Sequence, residues 1–148
     1  MALREARRED IRRIVEMLAD DEVARGREDF SGDMAPYYTA FDSIAADPNN
    51  TLYVWDQDGA VMGCLQLTFI PGISYHGSWI AKVEGVRVDR SLRSLGIGEQ
   101  MMDAMIEKSR ARGCKQLQLT TNKRRIDAQR FYRRLGFEAS HEGMKLDL

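Results

Sequence analysis

At 148 residues the chain has the length of one domain, and residues 1–148 are read as a single unit. Apolar residues make up 43% and charged residues 30%, which excludes a disordered chain, and no apolar run approaches the roughly 18–20 residues of a membrane span. The N-terminus has no apolar signal core, so a cytoplasmic protein is expected. Cys64 and Cys114 are too few for a disulfide framework or a four-ligand zinc site and are read as reduced thiols.

Along the chain, Leu3–Arg7 reads as a first strand. Ile11, Ile14, Val15 and Leu18 recur at i, i+3, i+4 and i+7, which predicts a helix with one apolar stripe. Residues 20–33 are acidic and irregular. A second helix starts near Pro36 and ends before Pro48, because proline suits a first turn and stops a last one. Thr51–Asp56 and Ala60–Ile70 read as strands joined by the Asp58-Gly59 turn. After Pro71-Gly72 comes a loop with Tyr75, His76 and Trp79, then a strand over Ile80–Val88. Ile97–Arg112 is a helix closed by Gly113, with Met101, Met102 and Met105 as packing residues rather than metal ligands. Cys114–Thr121 reads as a strand, Asp127–Leu135 as a helix, and Phe137–Leu148 as one or two short strands. The order β-α-α-β-β-β-α-β-α-β predicts a mixed α/β fold: antiparallel hairpins plus one parallel crossover, covered by helices.

The net charge of −1 conceals two unlike halves. Residues 1–80 hold 7 Lys/Arg and 14 Asp/Glu, whereas residues 81–148 hold 15 and 9. The crowding of Asp20, Asp21, Glu22, Glu28, Asp29 and Asp33 predicts a surface that attracts a cationic acceptor. A nucleic-acid-binding role is set aside, since the pI is about 6.1 and no aromatic–basic surface motif is present.

The sharpest local feature runs from Val86 to Gly98. A strand ends, a loop with Gly96 and Gly98 follows, and a helix begins on the glycines. Such a turn aims free backbone N–H groups and the positive end of a helix dipole at an anion. It is not a dinucleotide loop, because Met101 stands where a third glycine is needed. Nor is it a nucleotide-triphosphate loop, because Glu99 follows Gly98.

Arg93-x-x-Gly96-x-Gly98 resembles the Arg/Gln-x-x-Gly-x-Gly/Ala signature of the Gcn5-related N-acetyltransferase (GNAT) superfamily. Phe131-Tyr132, with Gly136-Phe137 four residues beyond the tyrosine, resembles the family's second hallmark. Val83–Asp89 resembles its central strand, and the element order agrees over nearly the whole chain. Arg90 stands where the family usually has proline, and Ser94 and Leu95 stand where it has small or basic residues.

The resemblance implies the acyl-CoA N-acyltransferase fold, with a mostly antiparallel sheet, flanking helices and a splayed central strand pair. It implies acetyl transfer from acetyl-CoA, without a metal, to a primary amine of a small molecule, amino-acid-like or polyamine-like, by direct attack through a tetrahedral species. The other acceptors considered are a protein N-terminus or lysine; a non-catalytic acyl-CoA sensor is the remaining alternative. For the cofactor it implies the backbones of Val86, Arg87 and Val88 along the pantetheine arm. Arg93, Ser94, Leu95, Gly96, Ile97 and Gly98 would surround the pyrophosphate, with Asn122, Ala128, Phe131 and Tyr132 on the other wall. Tyr132 is the expected general acid for the leaving thiolate and Glu84 the expected general base. Neither a membrane nor a nucleic-acid partner is expected, and a homodimer is considered because the family often forms one.

Overall fold

The computed structural model describes residues 2–23 and 25–148. Five strands form one sheet in the order β1 (Leu3–Glu5), β2 (Asn50–Gln57), β3 (Ala60–Ile70), β4 (Ile80–Val88), β5 (Leu117–Gln118). The first four run antiparallel to their neighbours, and β5 joins β4 in parallel. Asp58 and Gly59 both take positive φ, 52° and 89°, the backbone a two-residue hairpin demands between β2 and β3.

Helices cover both faces because the strands alternate. Val54, Val61 and Cys64 lie under α1 (Ile11–Ala19) and α2 (Ala35–Ala46). Leu65, Leu67, Ala81 and Val83 meet the fully buried Met101, Met102 and Met105 of α4 (Ile97–Arg112), and Phe131 and Tyr132 of α5 (Ile126–Arg134) pack against the same cluster. The α3 turn (Ser74–Gly77) is not a right-handed helix, since Tyr75 and His76 have φ of 55° and 59°. Burial leaves Cys64 a poor nucleophile, its thiol pushed up to about 12, while Cys114 is only half-buried.

Two expected strands differ from what folds. The strand predicted over Cys114–Thr121 shrinks to Leu117–Gln118, and no strand forms within Phe137–Leu148. In both stretches the alternation is present, but a strand exists only where a second backbone lies in register. β5 pairs only with Ala81 and Lys82 of β4 and then leaves it. The C-terminal segment passes Thr120 and Lys123, beyond β5, without a ladder, leaving Met144, Leu146 and Leu148 exposed.

The decisive irregularity is in β4. Gln66 faces Glu84, yet Cys64 faces Arg87, so Leu65 alone opposes both Gly85 and Val86. This is a β-bulge, and Gly85 adopts the positive φ of 63° that it requires. The extra residue reverses the alternation. Ala81, Val83, Val86 and Val88 contribute to the α4 side. Lys82, Glu84 and Arg87 therefore fall on the α1/α2 side.

Ion pairs tie the ends of these elements together. Arg4 reaches Asp10 at 2.8 and 3.1 Å and Asp56 at 2.9 Å, joining β1 to the start of α1 and to the end of β2. Asp89 accepts from the Ser91 hydroxyl at 2.6 Å and the Ser91 amide at 2.9 Å and pairs with Arg13. These partners, Ser91 first, hold its carboxyl down at about 2. A depressed carboxylate stabilises the fold above its ordinary pKa of about 4 and loses that contribution as pH falls through its folded value. Asp89→Asn should therefore flatten the decline in urea midpoint between about pH 4 and 2, and an unchanged slope would count against the Asp89 contacts.

Candidate functional site

The bulge and the short β5 together open a slot. From Val83 onward the edge of β4 that faces β5 has no ladder partner among the described residues. The opposite edge stays bonded to β3 through Arg87, so Val86 and Val88 turn their backbone groups to the open side, where their amides lack a ladder partner and their carbonyls accept from the Arg87 and Arg93 side chains. At the far end the chain passes through the Arg90–Leu92 turn into Gly96, whose φ is 82°. The Gln100 amide is the first to bond back, to Gly96 C=O at 3.0 Å. Among the described residues the amides of Ile97, Gly98 and Glu99 find no backbone acceptor, so they are open donors at a helix N-terminus. Ser94 also has positive φ, 66°, which turns the loop around this point. A separate hollow of about 270 Å³, lined in part by Phe41, Ile44, Pro48 and Leu52, lies between α2 and β2, away from this slot.

α5 forms the second wall. A methyl group placed on Gly98 would touch Phe131 at 3.4 Å and Val88 at 3.7 Å, so α5 packs directly on the first turn of α4. Tyr132 stands edge-on to Phe131, with centroids 5.1 Å apart, and to Phe137 at 5.8 Å. Burial pushes its phenol above the usual range, and the guanidinium groups of Arg87 and Arg125 oppose that rise. Ala128 and Phe131 are half-buried on the same helix.

Other expected residues have local partners. Glu84 is not a buried carboxylate: its side chain is 53% exposed and lies 3.8 Å from Lys82 Nζ. Asn122 Oδ1 accepts the Arg124 amide at 2.9 Å, closing a turn. The Arg93 Nε donates to Val88 C=O at 3.2 Å, which staples the loop to the end of β4. Arg90 is paired with Asp20 at 2.8 Å.

The acidic segment is also spent internally. Asp20 pairs with Arg90, Asp21 with Arg87 and Arg125, and Glu28 with Arg27. Asp29 and Asp33 cap the turns at Ser31 and Ala35. Five of the six carboxylates thus have partners, and the segment is not the bare anionic surface its composition predicts. Sequence reasoning missed Asp21 and Arg125 as partners, because 104 positions separate them along the chain. It also missed Asn50, whose Oδ1 gathers Gln66 at 2.9 Å and Thr68 at 2.6 Å on the face that carries Glu84.

Comparison with known proteins agrees with this architecture. The Acetyltransferase (GNAT) family matches residues 11–137. An aminoalkylphosphonate N-acetyltransferase of Salmonella typhimurium is 34% identical over 108 residues, 70% of each chain. A glucosamine 6-phosphate N-acetyltransferase of Trypanosoma brucei brucei is 32% identical over 61% of this chain and 59% of its own. A crystal structure described as a transcriptional regulator from Bacillus halodurans superposes with a TM-score of 0.94 at 45% identity, covering 99% of this chain and 98% of that one. The chain belongs to the Acetyltransferase (GNAT) family and is an acetyl-CoA-dependent N-acetyltransferase. Among the described residues no helix is long and apolar enough to cross a membrane.

Proposed function

We propose that the chain acetylates the primary amine of a small molecule, with the acceptor on the α1/α2 face of β4 and acetyl-CoA in the slot beside β4. The observation that carries this is the unpaired edge of β4 leading to the open first turn of α4. An extended pantetheine arm can pair with Val86, Arg87 and Val88 as an added strand. The amides of Ser94, Leu95, Gly96, Ile97 and Gly98, with Arg93 beside them, suit the pyrophosphate. Ala128, Phe131 and the free amide of Asn122 suit the opposite flank of the arm.

When bound, acetyl-CoA supplies the activated acyl group. The Val86 N–H, aimed by the bulge, stabilises charge on the carbonyl oxygen. Tyr132 stays protonated at neutral pH and delivers its proton to the departing thiolate. Glu84, open to solvent, removes the amine proton through a water. The curated relatives act on aminoalkylphosphonates and glucosamine 6-phosphate, both small amines, which supports this acceptor class over a protein N-terminus or lysine.

Free thiol released from acetyl-CoA, measured across a panel of small amines and peptides, tests the proposal. Small amines should give turnover with a matching N-acetyl product by mass spectrometry. Turnover confined to peptides, or coenzyme A binding with no thiol release, would overturn it.

A further inference from the structure

Under the proposed acceptor face lies an ion cluster whose charges do not balance. Arg87 leaves β4 on that side with its side chain only 14% exposed. Its Nη1 donates to Val86 C=O at 2.8 Å, and its Nη2 sits 3.0 Å from Asp21 Oδ2. Its buried Nε has no hydrogen-bond partner among the described residues. Arg125, 23% exposed in the loop before α5, closes on the same Asp21 oxygen, while Asp21 Oδ1 is taken by the Val23 amide at 3.0 Å. One carboxylate therefore serves two guanidinium groups. Burial is the main force lowering the Arg87 pKa, and Arg125 and Arg27 press the same way against Asp21. A surplus of cations in a desolvated place is costly unless an anion joins it.

Position says which anion. Arg87 and Glu84 share the α1/α2 side of β4, about two strand positions apart across the bulge, or roughly 7 Å. Arg87 and Arg125 are also close enough to Tyr132 to act on its phenol. An acceptor held by its amine near Glu84 would place a group two or three carbons away at the guanidinium pair. Resting on the small-amine reading above, we propose that Arg87 and Arg125 form an oxyanion subsite. The acceptor is then a short amine that carries a phosphonyl, phosphoryl or carboxyl group. Paired guanidinium forks match the oxygens of such a group, and the surplus of positive charge favours the doubly charged phosphonate over the carboxylate. The coenzyme's own phosphates are the other possible source. The structure disfavours them because the open amides of α4, beyond the end of β4, already offer those phosphates a place.

The test is thiol release at saturating acetyl-CoA with 2-aminoethylphosphonate, 3-aminopropylphosphonate, β-alanine and propylamine. The anionic amines should exceed propylamine in kcat/KM by at least tenfold. Arg125→Gln and Arg87→Lys, checked for folding by circular dichroism, should each cut that ratio at least tenfold, mainly through KM. A best acceptor that is neutral or cationic, with a ratio unmoved in both variants, overturns the proposal. Calorimetry with coenzyme A and with phosphate-free pantetheine separates the two sources. If Arg125→Gln weakens the first and spares the second, the cluster serves the cofactor and the proposal fails. If no amine in the panel releases thiol, the small-amine reading is what fails. Binding of methylphosphonate to the coenzyme A-loaded protein then decides the subsite: loss in Arg125→Gln upholds it, and no binding overturns it.

Discussion

Tyr132→Phe is expected to lower kcat by about 10²–10⁴-fold, the usual scale for losing a general acid, while affinity for coenzyme A moves far less. In the proposed role the hydroxyl would act on a thiolate that carries charge only late in the reaction, so its removal would fall on kcat rather than on ground-state binding. The site suits this role. Burial raises the phenol's pKa, and Arg87 and Arg125 limit the rise, so the proton is retained at neutral pH yet the phenolate is not prohibitive. The ring remains packed between Phe131 and Phe137 in the variant, which keeps the fold intact. Wild-type kcat in Tyr132→Phe across pH 6–9, with chemistry rate-limiting, would remove the hydroxyl from the mechanism.

Gly96→Asp should weaken coenzyme A binding by up to roughly a thousandfold. Gly96 precedes the open first turn of α4, and a methyl group there meets nothing within 4 Å, so the side chain fits without a clash. Its φ of 82° is a left-handed conformation that Asp and Asn tolerate better than other side chains. The new carboxylate would lie beside the proposed pyrophosphate position, and two like charges about 4 Å apart near a surface repel by about 4 kcal/mol, roughly three decades in Kd. Gly96→Asn has the same shape and backbone cost without the charge. Calorimetry should show most of the loss in Asp and little in Asn. Equal losses would assign the effect to backbone strain and take the anion away from this turn.

Much of the architecture was legible because it rests on local rules. The period of Ile11, Ile14 and Val15 and the Asp58-Gly59 turn placed α1 and the β2–β3 hairpin; helix α4 folds over the expected residues, Ile97–Arg112, and β4 over Ile80–Val88. The glycines between them marked the turn that opens α4, where the amides of Ile97, Gly98 and Glu99 find no backbone acceptor among the described residues. Residues close in the chain settle such features, so one sequence suffices to see them.

What the tertiary structure decided depends on residues far apart. The strand over Cys114–Thr121 shrank, and none formed within Phe137–Leu148, because alternation makes a strand possible and only a neighbouring backbone makes it real. The bulge at Gly85 showed up only through the register of β4 against β3, and it alone moved Arg87 onto the face of Glu84. The acidic segment looked like bare charge in the sequence. Folding brought Asp20 to Arg90 and Asp21 to Arg87 and Arg125, and the pairing neutralised those two carboxylates. Composition counts charges, but the energy of a charge depends on its distance to others and on how far water is excluded, and both are set only when the chain closes.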